Sequence, residues 1–169
     1  GPESPGPGET GPTEAESPGP PLQEALTFFQ TILAMPPCPA DAHLQMYAAG
    51  GAGTPRVPGK MLIPYADAPA WVQAMVAVAN QAGQHFWWRG AGRNAEGRVI
   101  GTLILWCDID HGDVAKLVTF PIKPTWTFWS GRGRHCVWLL NAWCDNLDLI
   151  QAKLTGIATA LGGDQQAAQ

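Results

Sequence analysis

Apolar residues recur along this chain with two periods, one near 3.6 and one of two, and these periods predict its elements. Leu22, Ala25, Leu26, Phe29 and Leu33 lie on one helical face that Pro36-Pro37 brings to an end. Leu147, Ile150, Leu154, Ile157 and Leu161 make a second stripe, with Asp145 or Asn146 as its cap and Gly162-Gly163 as its stop. Pro69 suits the first turn of a further helix reaching about Ala82 before Gly83. Strands are expected at 43–48 and 60–65, on either side of a Gly-rich loop at 50–59, and at 84–89, with a turn at 90–98. The order α-β-β-α-β, then β-β-β-α, predicts an α+β protein in which two α/β layers share one core.

The strongest local pattern is Leu103-Ile104-Leu105-Trp106-Cys107-Asp108-Ile109-Asp110, an apolar run ending in two acids one residue apart. Residues i and i+2 of a strand share a face, so Asp108 and Asp110 emerge side by side with Cα atoms about 6.6 Å apart. Their carboxylates can converge on one or two hard divalent ions, while Ile109 packs on the opposite face. The plainer reading is that the two aspartates mark where a buried strand meets solvent and turns.

A second pattern follows. Residues 124–129 are aromatic and β-branched, and 134–140 form another strand-like run with His135, Val137 and Leu139 on one face. Between them Ser130-Gly131-Arg132-Gly133 predicts a hairpin. Gly131 and Gly133 are able to adopt positive φ and bring backbone N–H groups to a ligand, and Arg132 and Arg134 add cationic forks, which together suit a triphosphate. An ordinary hairpin with two solvated arginines and a histidine packed in the sheet is the alternative.

Asp-x-Asp at a strand end, followed by Ser-Gly-x-Gly-x-His on a hairpin and the aromatic-apolar run Cys136-Val137-Trp138-Leu139-Leu140, resembles the catalytic motifs of the archaeo-eukaryotic primase superfamily, in particular the primase and primase-polymerase domains of plasmid and phage replication proteins of the RepB type. The resemblance implies an archaeo-eukaryotic primase-like core, with an N-terminal α/β unit and an RRM-like catalytic sheet. It also implies a third acid after a helix, and Asp164 stands there in Gly162-Gly163-Asp164. On this reading Asp108, Asp110 and Asp164 bind Mg²⁺ or Mn²⁺. His135 contacts the phosphates of the incoming nucleotide, helped by Ser130 and the turn that follows. Arg93 falls near where relatives carry an arginine after an aromatic strand. Such domains continue past the third acid into another strand and an arginine-bearing segment, so residues 21–169 are expected to be a trimmed or minimal single catalytic domain.

Composition changes the picture in a few respects. The first twenty residues are Gly, Pro, Glu, Ser, Thr and one Ala, which predicts a disordered tail at 1–20. The net charge of −4 is carried by Glu3, Glu9, Glu14 and Glu16, and the remainder is neutral. Within 89–134 seven bases stand against four acids, a local balance that suits a polyanion. Cys38, Cys107, Cys136 and Cys144 have no metal-site or disulfide spacing. Eight tryptophans cluster mostly around the expected strands, where core packing is the first reading and base stacking the second. His111, beside Gly112 and Asp113, reads as a turn residue. No signal peptide or bilayer-spanning stretch is seen, which makes the cytoplasm the expected setting, and the resemblance implies a bacterial or archaeal, plasmid- or phage-borne origin.

The expected activity is thus that of a metal-dependent primase or polymerase, a nucleotidyltransferase using nucleoside triphosphates on single-stranded DNA, with a helicase or another replication domain as a partner. Two alternatives use the same residues: a two-metal nuclease, in which the carboxylates activate water, and a catalytically silent nucleic-acid-binding replication module.

Overall fold

Period-two runs have become strands of one sheet, and the period of 3.6 has become the helices that cover it. The computed structural model describes residues 27–31, 38–50, 60–81, 84–110, 113–129 and 133–163. The tail at 1–20 lies outside these described residues. Residues 27–31 are helical (α1). There follow β1 (His43–Gly50), β2 (Lys60–Pro64), a 3₁₀ turn (Tyr65–Asp67), α2 (Ala68–Gln81), β3 (Gln84–Arg93), β4 (Val99–Asp110), α3 (Lys116–Thr119), β5 (Trp126–Trp129), β6 (Gly133–Cys144) and α4 (Leu147–Leu161). The strands form one six-stranded sheet in the order β2-β1-β3-β4-β6-β5. Every neighbouring pair is antiparallel, so the class is α+β. No helix among the described residues is long and apolar enough to cross a membrane.

The two faces of the sheet bury different cores. On one, Leu44, Met46, Ile63, Ile104 and Val137 pack under Phe28 and Phe29 of α1 and Val72 of α2. On the other, Cys107, Ile109, Cys136 and Trp138 pack against Ala158 and Leu161 of α4. We call these the α2 face and the α4 face. In place of two α/β layers sharing one core, the chain forms one sheet with a core on each face, joined at β4 and β6, whose apolar residues lie on both sides.

One expected boundary moves. Residues 90–93 belong to β3 instead of opening a turn, and the turn is confined to 94–98, where the Asn94 side chain accepts from the amides of Glu96 (3.1 Å) and Arg98 (2.9 Å). Gly90 and Gly92 serve close approach. A methyl carbon on Gly90 would stand 2.6 Å from Cδ2 of Trp106, and one on Gly92 would stand 3.0 Å from Cζ3 of Trp143. Two indoles press against strand backbone there, and only glycine leaves them room.

At the C-terminal helix the cap is Asn146, not Asp145: its side chain accepts from the Leu149 amide at 3.1 Å, and Gly162 closes the helix with φ 66°. Ile150, Leu154 and Leu161 are buried as the stripe predicts, but Leu147 is 44% exposed and Ala158 is buried. Periodicity sets the direction of a side chain, not how far the sheet extends beneath it.

Candidate functional site

The antiparallel register of β4 and β6 sets the geometry. Cys107 pairs with Cys136, Asp108 with His135, Ile109 with Arg134 and Asp110 with Gly133. Pleating turns Asp108 and His135 to the α2 face, where the ring nitrogen Nδ1 and the carboxylate oxygen Oδ1 are hydrogen-bonded. An ionised carboxylate only accepts, so Nδ1 carries the proton and donates.

Aromatic rings back this pair. The imidazole lies 5.9 Å from Trp88 and 6.4 Å from Phe128, centroid to centroid. Trp88 and Phe128 in turn rest on Phe28, at 5.2 Å and 5.6 Å. The histidine side chain is 25% exposed and that of Asp108 47%, so the pair has an apolar wall behind it and water in front. Sequence marks Trp88 only as one of the tryptophans clustered on strands and assigns no role to Phe128. Phe128 is opposite His135 in the β5–β6 ladder, a register no local pattern reveals.

Asp110 is exposed two residues further along β4, and Ile109 between the acids is buried on the α4 face. Gly133, opposite Asp110, is held by sterics: a side-chain carbon there would collide with the Ile109 carbonyl oxygen and stand 2.9 Å from the Asp110 Cα. Its φ is not positive, so the glycine is required for close approach of two strands and not for the left-handed conformation expected from the turn.

The end of α4 returns to the same place. After the left-handed cap, the Gly163 amide donates to the Ala158 carbonyl at 2.8 Å. A side-chain carbon on Gly163 would touch Cys107 Sγ and lie 2.9 Å from the Asp108 carbonyl oxygen. The chain therefore passes against β4 at Asp108 one residue before Asp164, which itself lies outside the described residues, as do Ser130, Gly131, Arg132 and His111.

Two expected partners are not brought to this pair. Arg134 neighbours His135 in the same strand, so it leaves on the α4 face beside Cys136. Arg93 pairs with Val99, at the far end of β4 from Asp108. At about 3.3 Å per residue that is a separation of about 30 Å. Its guanidinium donates to the Gly97 carbonyl at 2.8 Å, pinning the 94–98 turn, and burial lowers its pKa from the usual arginine range.

Among the described residues no group of three or more His, Cys, Asp or Glu is placed to hold a metal ion. Asp108 and Asp110 nevertheless put two carboxylates on one strand face with solvent access, a donor set of hard oxygens that fits Mg²⁺ or Mn²⁺. Behind them, Cys136 is fully buried, and burial first, then the charge of Asp108, pushes its thiol up to about 11. It is therefore a packing group at neutral pH, not a nucleophile. No family model, curated protein or solved structure matches the chain.

Proposed function

We propose that this protein is a metal-dependent nucleotidyltransferase of the primase or polymerase kind, built on an archaeo-eukaryotic primase-like core. The observation that carries the reading is the direct opposition of Asp108 and His135 across β4 and β6, with Asp110 and Gly133 as the next pair toward the hairpin. It supports the idea that the acid motif and the histidine motif serve one pocket. Gly163, one residue before Asp164, lies against the Asp108 backbone carbonyl, and this reading keeps Asp164 as the third acid.

In this reading Asp108, Asp110 and Asp164 hold Mg²⁺ or Mn²⁺. When bound, the ions supply activation of a 3′-hydroxyl and neutralisation of charge at the α-phosphate. Asp108 has a second task, fixing the tautomer and tilt of His135 so that Nε2 is aimed outward. In this reading the imidazole meets a phosphate oxygen of the nucleoside triphosphate through Nε2, and Arg132 with the expected glycine turn takes the rest of the tail. Trp88 and Phe128 keep water from the back of the imidazole and resist its rotation. This reading assigns no nucleotide contact to Arg93 or Arg134, which the structure does not bring to the Asp108–His135 pair.

Incubation with single-stranded template, nucleoside triphosphates and Mn²⁺ is expected to yield extended products that vanish in Asp108→Ala. Identical products from that variant would exclude the mechanism. Shortened template in place of products would identify a two-metal nuclease, and neither outcome, with template still bound, a silent binding module.

A further inference from the structure

The three strands farthest from β5 carry no acid. β1 reads HLQMYAAG, β2 KMLIP and β3 QHFWWRGAGR, so their charged residues are Lys60, Arg89 and Arg93. Pleating sorts these strands cleanly. Leu44 and Met46 face the core under α2, and Gln45 and Tyr47 therefore face the other way. In register, Tyr47 pairs with Lys60 and Gln45 with Arg89, which gathers Lys60, Tyr47, Gln45 and Arg89 on the face away from α2.

These side chains are already organised. The Arg89 guanidinium stands over the Tyr47 ring, 5.5 Å from its centroid, and Gln45 Nε2 donates to the Tyr47 hydroxyl. Lys60 and Arg89 are both exposed. Arg93 lies near enough to Arg89 that the two cations repel, and no carboxylate from the three strands offsets them. A planar cation over an aromatic ring presents a stacking surface to a base, and the flanking cations complement the charge of a phosphodiester backbone.

We propose that this outer face of β1–β3 binds single-stranded nucleic acid, with Lys60 and Arg89 on phosphates and the Arg89–Tyr47 stack under an unpaired base. Double-stranded DNA keeps its bases stacked inside the helix and gains only the phosphate contacts, so the face prefers single strands. This surface is on the opposite side of the sheet from Asp108 and His135, so it is a second nucleic-acid surface, and the binding does not depend on the nucleotidyltransferase reading.

The test is fluorescence anisotropy of the full chain with a labelled thymidine oligonucleotide of about 15 nucleotides, in EDTA so that metal-dependent chemistry plays no part. The variant Lys60→Ala/Arg89→Ala is expected to bind about tenfold more weakly or worse, and to flatten the slope of log affinity against log salt by about 1.4. Tyr47→Ala is expected to lose about fivefold or more, with affinity restored in Tyr47→Phe, which retains the ring. Lys153→Ala, an exposed cation on α4, serves as the surface control and is expected to bind like the parent. Parental binding by the double variant, equal binding of duplex and single strand, or no binding by the parent would each overturn the proposal. Loss of primer extension with this binding intact would instead count against the catalytic reading alone.

Discussion

Asp108 and His135 are 27 residues apart in the chain and directly opposite each other in the β4–β6 ladder, joined from Oδ1 to Nδ1. This contact sets a division of labour that substitution can separate. Asp108→Asn keeps an oxygen to accept from Nδ1 and removes the charge, whereas Asp108→Ala removes both. If the carboxylate holds a cation, both variants lose primer extension by at least about 100-fold. If its task is only to orient the imidazole, Asp108→Asn retains most of the rate. Single-turnover extension in Mn²⁺ distinguishes them, and parental rates in Asp108→Asn would remove the metal role.

Much of this arrangement was legible in the chain, and the misses have physical causes. Period two along 103–110 placed the acids on one face and Ile109 on the other, and the buried Ile109 agrees. That same period excludes Arg134 from the histidine's face, since adjacent strand residues diverge, so the turn motif led past information already present. Gly90 and Gly92 read as turn residues because the indoles that need their missing side chains, Trp106 and Trp143, lie on other strands. The aromatic wall of Trp88 and Phe128 and the seat of Gly163 depend on tertiary register, which no window of neighbouring residues contains.

Gly133 fixes how closely β6 approaches β4 at the acid pair. In Gly133→Ala the new carbon meets the Ile109 carbonyl oxygen, and the strands must separate locally. Overpacking of this kind costs about 1–3 kcal/mol. Urea unfolding is expected to report that loss, and primer extension to fall further than stability alone explains because Asp110 is the facing residue. An unchanged midpoint would mean that the two backbones are not in contact there.

Helix α4 holds the sheet from Ile150 onward, while its first residue stays out. Leu161 is 0% exposed and Leu147 44% exposed, although both lie on the apolar stripe. Leu161→Ala is expected to cost about 2–5 kcal/mol, by lost burial plus the cavity left behind. Leu147→Ala is expected to change stability by no more than about 0.5 kcal/mol. Paired urea titrations check this, and the reverse order would require the helix to dock by its first turn.

Cys136 links stability to alkaline pH. Burial, reinforced by the negative charge of Asp108, pushes its thiol up to about 11 in the folded protein, while an exposed thiol in the unfolded chain ionises near about 8.5. Between these values the unfolded chain has released a proton that the native state retains, so the unfolded state binds fewer protons and stability declines as pH rises. The contribution is complete below about pH 8.5 and is lost progressively up to about pH 11. Other groups also titrate in this range, and comparison with Cys136→Ala isolates the thiol: the variant is expected to show a shallower decline in urea midpoint over that window. Equal slopes for the two proteins would show that the thiol proton is not held by the fold.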